Sequence, residues 1–494
     1  MIGISHHKNK NMNKEIRNLE PRALWNHFAD LNAVPRGSKK EEQVIEFMKD
    51  FGKSLNLETI EDEVGNVIIR KPATKGMENR KMIVMQSHLD MVHQKNNDTD
   101  FDFDTQGIEM VVDGDWVRAK GTTLGADNGL GVATIMAVLK SDDIAHPAIE
   151  ALFTIDEETG MTGALGLKED VLQGKILLNL DTEEDDELSV GCAGGVDITA
   201  EKQYKEVPVS EGAVFYTVEV KGLQGRHSGM DIHKGLGNAN KLMNRILVAV
   251  KDFTEIHSIE GGSLRNAIPR ESVAKIAVTS EADFKTAFDY ITAELKNEYR
   301  LIEPNLVIKT GKTEEGFSKV MKTEDRDEFL KVVSASFNGV FRMSPTFDDL
   351  VETSNNVAKV TVGSGQVKIE CLTRSAVESS KADLANVLTS GFELGGYAVT
   401  HSGSYPGWEP DLDSPILKVL KDLYVEINGE EPNVAAGHGG LECGILKGHY
   451  PDMDMISFGP TIRGAHSPDE RASISSAQKY WNYVLEILKN IPEK

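Results

Sequence analysis

Cysteine is scarce: Cys192, Cys371 and Cys443 are the three in 494 residues, too few and too scattered for a disulfide framework. No apolar run reaches the roughly 18 residues of a membrane-spanning helix, so none is expected. Positive charge is in deficit. The 54 Lys and Arg face 78 Asp and Glu, a formal net charge of −24, which argues against a phosphate-backbone partner such as nucleic acid. The amino-terminal stretch MIGISHHKNKNMNKE lacks the apolar stretch of a secretory signal, and 1–18 is expected to be a disordered lead-in. Also missing are HExxH, GxSxG, GxxxxGK and CxxC patterns. What remains is an ordinary globular mix, 40% apolar and 27% charged, in a chain long enough for two to four domains at about 100–200 residues each. A soluble, cytoplasmic, multidomain protein is the expectation.

The first third alternates strand and helix signals. Ser38-Lys39-Lys40-Glu41 has the spacing of a capping box and opens a helix over 38–55. Two short strands follow at 57–61 and 67–71, with Gly65 at the turn. MIVMQ (82–86), ALFTI (151–155) and ILLNL (176–180) are short apolar runs, as in strands buried on both faces, and 128–139 reads as a buried helix. This is an α/β layered pattern. The middle of the chain differs. YTVEVKG (216–222) alternates apolar and polar residues like a half-exposed antiparallel strand, and helices are expected over 237–253, 284–299 and from about Ser379. A loose repeat runs from Asn266-Ala267-Ile268-Pro269 before AKIAV to Asn355-Asn356-Val357 before AKVTV. The middle therefore reads as an α+β insert of two related halves. The last ninety residues return to the first style, with helices at 415–425 and 474–489 and the strand DMISF (454–458). The expected division is a lead-in over 1–18, a first domain over 19–199 and 404–494, and an insert over 200–403.

Each apolar strand ends in a polar cluster. MIVMQ runs into Ser87-His88-Leu89-Asp90, ALFTI into Asp156-Glu157-Glu158, ILLNL into Asp181-Thr182-Glu183-Glu184, and DMISF leads to Arg463-Gly464-Ala465-His466. Gly125-Ala126-Asp127-Asn128-Gly129 precedes the buried helix. Ligands of open α/β sheets bind beyond the carboxyl ends of the strands, so these clusters converge on one crevice. Crowded carboxylates and imidazoles call for positive charge between them, and mixed Asp/Glu/His sets suit Zn²⁺, Co²⁺ or Mn²⁺. His88 and Asp90 lie two apart on an extended chain and point together, so one can bind metal while the other orients it. Glu157 and Glu158 point apart, so one serves as a ligand and the other as a general base. Taken singly, an acidic pair is usually a solvated surface, a histidine after a strand is usually structural, and Gly125–Gly129 is a turn. Their joint position at strand ends is what points to chemistry.

The segments SHLDMV (87–92), GADNG (125–129), DEETGMTGA (156–164), NLDTEE (179–184) and GAHSPDE (464–470) resemble, in order, the motifs of the di-zinc metallopeptidases that include aminoacylases, succinyl-diaminopimelate desuccinylase, carnosinases and bacterial dipeptidases. GTTLGADNG (121–129), VGCAGG (190–195), GLQGRHSGMDIHKG (222–235), SLRNAIPRE (263–271) and GHGGLECG (437–444) resemble one branch of that family, the aminoacyl-histidine dipeptidases. The resemblance implies an α/β catalytic domain, a mixed sheet flanked by helices, with an inserted lid. It implies two Zn²⁺ per subunit, with Co²⁺ or Mn²⁺ as substitutes. His88 and Asp181 would hold one ion, Glu158 and His466 the other, and Asp127 would bridge them. Asp90 would orient His88, and Glu157 would be the general base. It further implies a cis peptide at Asp127–Asn128.

In the insert, the resemblance makes His227 the residue that stabilises the oxyanion, and Asn266 and Arg374 substrate-binding residues. Arg374 suits a bidentate grip on a free carboxylate; by itself it reads as a surface strand arginine. Gly440 and Glu442, in the catalytic domain, would line the substrate pocket, with His438 a lesser candidate. Cys192 and Cys443 read as packing thiols. The implied activity is metal-dependent hydrolysis of Xaa-His dipeptides, β-alanyl-histidine (carnosine) included, in the cytoplasm. The rival activities are N-acyl amino acid hydrolysis and a broader di- or tripeptidase. Smaller relatives dimerise through the lid, so a homodimer stays open. The doubled insert alternatively lets one chain supply His227 to its own site.

Overall fold

The computed structural model describes residues 13–494, and the chain divides into two compact units. One takes the residues up to Gly191 with Pro410–Ala436 and Glu442–Lys494; the other takes Cys192–Glu409 with Gly437–Leu441. The inserted unit is thus longer at both ends than the expected 200–403. The reason is that the strand Gly194–Gln203 is bonded along its length to Gln366–Ser375 and belongs with it. The expected lead-in also shortens. Ile16 is wholly buried in the 3-10 turn Ile16–Asn18. The Asn13 side chain donates to Ile108 O at 3.1 Å and accepts from the Met110 N–H at 2.8 Å, so it closes a strand end. Residues 1–12 of that lead-in lie outside the described residues.

The first unit is built on an eight-stranded sheet. Its central strands are β1 (Ile83–His88), β2 (Ile149–Thr154) and β3 (Ile176–Asn179), joined by Asp454–Ser457. β1 pairs in parallel with β2 and β3, and β3 pairs in parallel with Asp454–Ser457. β1, β2 and β3 are buried at every position. Helices cover both faces of a parallel sheet, which is why these strands read as unbroken apolar runs. The helix α1 (Ala126–Lys140) is buried from Asn128 to Leu139, so it carries no polar stripe. It also lies very close to the strand ends. A Cβ at Gly131 would fall 2.4 Å from Ser87 Oγ and 2.6 Å from Leu180 O, a spacing only glycine tolerates. The parallel strands therefore deliver the residues that follow them to one edge of the sheet.

The second unit is one nine-stranded antiparallel sheet made of two βαββαβ halves, eight strands in all, and a ninth strand, Gly339–Met343, that pairs with Val351–Gly363 off the main order. The first strand of the outer half is β4 (Gly194–Gln203). The inner half follows whole: β5 (Val214–Lys221), α2 (Ala239–Val250), β6 (Thr254–Gly261), β7 (Ser272–Val278), α3 (Glu281–Tyr299) and β8 (Val307–Lys312). The outer half then resumes with α4 (Thr323–Ala335), β9 (Val351–Gly363), β10 (Gln366–Ser375), α5 (Glu378–Leu394) and β11 (Ala398–Tyr405). The spatial order is β8-β5-β7-β6-β9-β10-β4-β11. The two second strands, β6 and β9, pair antiparallel and join the halves, whose apolar faces share one core with the helices. Two related halves are present, but not in the alignment read from the sequence. AKIAV lies on β7, the third strand of its half, whereas AKVTV lies on β9, the second of the other. The counterpart of β7 is β10. The inner half is also nested inside the outer one, so no uninterrupted repeat exists along the chain.

Candidate active site

At the carboxyl edge of the first unit's sheet the expected residues converge. His88 ends β1, Asp90 follows two residues later, Glu157 and Glu158 follow β2, Asp181 follows β3, and Asp127 sits in the first turn of α1. His88 Nε2 lies 3.2 Å from Asp127 Oδ1 and 3.6 Å from Asp181 Oδ1. His466 Nε2 lies 3.1 Å from Asp127 Oδ2 and 3.0 Å from Glu158 Oε2. Asp127 thus presents one oxygen to each histidine. The Asp127–Asn128 peptide is cis. On its other side, the His88 ring places Nδ1 3.4 Å from Asp90 Oδ1. Asp90 also accepts from Ser38 Oγ at 2.8 Å, from the Glu157 N–H at 3.0 Å and from the Glu158 N–H at 3.3 Å. One buried carboxylate therefore holds the imidazole and the backbone of both glutamates.

The charge state of this cluster follows from its crowding. Burial opposes a proton on His88, yet Asp181, Asp127 and Asp90 hold its pKa well above the ordinary histidine value. Hydrogen bonds to Asp127 and Glu158 raise His466 to about 11. Burial pushes Glu157 and Asp181 well above the usual carboxylate range, and their acidic neighbours add to it. Asp127 is also buried, but the two histidines hold it below the range. The cluster thus crowds more carboxylates than its two imidazoles offset.

Three groupings bring donor atoms within 4.8 Å of one another: His88, Asp127 and Asp181; Asp127, Glu158 and His466; and His88, Glu157 and Glu158. Asp127 links the first two, and Glu157 belongs to neither. Glu158 Oε1 is buried without a hydrogen-bond partner. Two imidazole nitrogens, three carboxylates and an orphaned carboxylate oxygen fit divalent Zn²⁺, Co²⁺ or Mn²⁺.

Beneath these residues runs a polar chain that the sequence reading missed. Glu442, wholly buried at the start of the helix Glu442–His449, accepts through Oε2 from Gln86 Nε2 at 2.6 Å and Thr154 Oγ1 at 2.7 Å. Asn179 Nδ2 donates to Gln86 Oε1 at 2.5 Å, and Ser457 Oγ donates to Asn179 Oδ1. Gln86 and Asn179 lie two residues before His88 and Asp181, so each shares a face with the residue it precedes. The available signal was one polar residue inside each apolar run. Glu442, expected to line the substrate pocket, is instead packed below the cluster, and burial raises its pKa to about 7. Its Oε1 has no partner.

The second unit carries the remaining candidates. His227 Nδ1 accepts from the N–H groups of Gly229 at 3.1 Å and Met230 at 3.0 Å. Its ring proton is therefore on Nε2. Burial, with help from Arg374, lowers its pKa to about 4, so the ring is a neutral donor. Asn266 is exposed, and its carbonyl accepts from the Ser228 N–H at 2.8 Å, which fixes the His227 turn. Arg374 is only 4% exposed, not the surface strand residue its pattern suggests. Its Nη1 donates to Tyr405 Oη at 2.9 Å, and its Nε is unpartnered. His438 Nε2 lies 2.7 Å from Ser354 Oγ, and burial lowers its pKa to about 3, with Arg374 adding to it. Gly440, expected in the catalytic domain, falls in this unit. Its segment is tied there by the Ala193 N–H, which donates to Gly437 O at 3.2 Å and Gly439 O at 2.9 Å. The three thiols are buried and none forms a disulfide. Among the described residues no helix is long and apolar enough to cross a membrane.

Comparison with known proteins identifies the family. The model of peptidase family M20/M25/M40 matches residues 84–490. A cytosol non-specific dipeptidase of Escherichia coli (strain K12) is 44% identical over 484 residues, covering 97% of this chain and 100% of that protein. The crystal structure of an aminoacylhistidine dipeptidase from Vibrio alginolyticus superposes with a TM-score of 0.89 at 44% identity, covering 98% of this chain and 99% of that one. The aminopeptidase PepT from Bacillus cereus shares the fold, with a TM-score of 0.57 at 17% identity over 96% of this chain and 99% of that one.

Proposed function

The chain belongs to peptidase family M20/M25/M40 and is a dipeptidase within it, and from that premise we propose that it hydrolyses Xaa-His dipeptides, β-alanyl-histidine among them, with two zinc ions. His88 and Asp181 would hold one ion, Glu158 and His466 the other, and Asp127 would serve both. The observation that carries this reading is the position of Asp127, with one oxygen 3.2 Å from His88 and the other 3.1 Å from His466. When bound, the ions supply Lewis acidity and lower the pKa of water. Glu157, outside both ligand sets, takes the proton of the attacking water and passes it to the leaving amine. Asp90 keeps His88 in the tautomer and orientation a ligand needs. The neutral His227 donates its Nε2–H to the developing oxyanion. Arg374, whose Nε is unpartnered, grips the carboxylate of a short peptide, and Asn266 binds the same substrate. The name of the E. coli relative supports a cytosolic setting.

That same name, a non-specific dipeptidase, favours a second reading with no strict demand for histidine. Turnover of β-alanyl-histidine, several Xaa-His dipeptides, other dipeptides, an N-acetyl amino acid and a tripeptide, by chelated protein before and after zinc is restored, separates the two. Metal-restored activity confined to carboxyl-terminal histidine is the expected result. Equal activity on other dipeptides establishes the broader reading, and activity on the N-acetyl amino acid or tripeptide alone overturns both.

A further inference from the structure

Two buried charges outside the donor set hold its shared member. Glu470, which ends the GAHSPDE segment, is 2% exposed. Its Oε2 accepts from the N–H groups of Leu124 at 2.7 Å and Gly125 at 3.0 Å. Its Oε1 accepts from those of Ala126 at 2.7 Å and Asp127 at 3.3 Å. One carboxylate thus gathers four successive amides where α1 begins, the place where helical N–H groups lack partners of their own. Arg36 approaches the same loop and is 1% exposed. Its Nη2 donates to Gly125 O at 2.6 Å and Asn32 Oδ1 at 3.0 Å. Its Nη1 donates to Leu89 O at 3.1 Å and Asp90 O at 3.2 Å. The guanidinium therefore ties the loop of Asp127 to the turn that follows His88.

The glycines of GADNG make room for this arrangement. A Cβ on Gly125 would lie 2.4 Å from Arg36 Nη2, and one on Gly129 would lie 2.7 Å from it. The guanidinium is held by four hydrogen bonds and has nowhere to withdraw. Gly125 also has φ +71°, in the left-handed region that favours glycine. The spacing of these two glycines around Asp127 thus records the presence of an arginine ninety residues earlier.

We propose that Glu470 and Arg36 are positioning residues that set how Asp127 is shared between the two ion positions. Glu470 fixes the backbone from which Asp127 projects, and Arg36 fixes that backbone relative to His88. The inference rests on the di-metal reading above. Partners behind metal ligands typically carry a 10–100-fold share of metal affinity. The test uses the full chain loaded with Mn²⁺, read by calorimetry and by electron paramagnetic resonance, since a shared carboxylate couples the spins of two adjacent ions. In Glu470→Ala and Arg36→Met, the second Mn²⁺ is expected to bind 10–100-fold more weakly, and the coupled spectrum to give way to that of separate ions. Glu470→Gln and Arg36→Lys, which keep part of each set of hydrogen bonds, are expected to fall between these and the parent. Where the larger changes prevent folding, the two conservative variants carry the test alone. Parent-like second-ion affinity with an unchanged coupled spectrum, in any folded variant of either residue, overturns the proposal. An unmodified chain that takes up only one Mn²⁺ overturns the di-metal reading itself, and no variant is needed to see it.

Discussion

Two pairs of histidines, one pair in each unit, are pushed in opposite directions. In the first, His88 and His466 stand among carboxylates and keep their protons, His466 up to about 11. In the second, His227 and His438 lose theirs, with pKa values lowered to about 4 and about 3. An unperturbed histidine titrates near ~6.5. Burial alone drives an imidazole neutral, and this is what happens beside Arg374. A shell of Asp127, Glu158 and Asp181 reverses the sign. The raised pair is the one set among the candidate metal ligands. His227 and His438 are lowered by burial first and by Arg374 second.

Substitutions can break this division, and the largest effect is expected in the first unit. Glu157→Ala should lower kcat by about 10²–10⁴-fold while metal content by elemental analysis stays at the parent level. Asp127→Ala should lower the metal content itself. Near-parent turnover in the former, or full metallation in the latter, would dissolve the distinction drawn between base and ligand. In the second unit, His227→Ala should cost about 10²–10³-fold in kcat with little change in KM and none in metal content. Lost metal in that variant would show that the two units do not divide the work as described. Arg374→Lys keeps charge but loses the fork. About 10–100-fold in KM is expected, from the ~1.5–3 kcal/mol of a charged hydrogen bond, for a free dipeptide but not for its carboxyl-terminal amide. Equal effects on both substrates would remove the carboxylate from Arg374.

The remaining effect concerns stability rather than turnover. His438 is neutral in the fold, with a pKa of about 3, and near ~6.5 when unfolded. Between those values the unfolded chain binds the extra proton. The contribution is therefore fully present above ~6.5 and is lost as pH falls toward 3, by up to about 1.4 kcal/mol per pH unit. His438→Gln should flatten the acid side of the thermal-midpoint profile between pH 6.5 and 4.5. A profile parallel to that of the parent would mean that His438 is not held neutral.

How much was legible beforehand depended on where the information lay along the chain. β1, β2 and β3 could be read because strands buried on both faces are apolar at every position, and the residues just past their ends were therefore conspicuous. His88, Asp127, Glu158, Asp181 and His466 meet because parallel strands bring their carboxyl ends to one edge. Arg36 gave no such signal, since its role depends on an approach to Gly125 and Gly129 that no local spacing encodes. Gln86, Asn179 and Ser457 are single polar residues inside apolar runs, and no local spacing shows that they form one buried hydrogen-bonded chain. The repeat was sensed but misaligned, because short apolar strands resemble one another whatever their place in a βαββαβ order.

The resemblance to the metallopeptidases assigned the ligands; local chemistry, written in residue order, was enough to state the layered α/β class, the strands that carry the site and the clusters of ligand-type side chains at their ends. Those properties follow from periodicity and from the few side chains that can act as ligands. The nesting of one half of the insert within the other, the burial of Arg374 and Glu442, and the grip of Arg36 and Glu470 on one loop came from packing. Each depends on groups far apart along the chain, and their distances and dielectric surroundings exist only once the chain has folded.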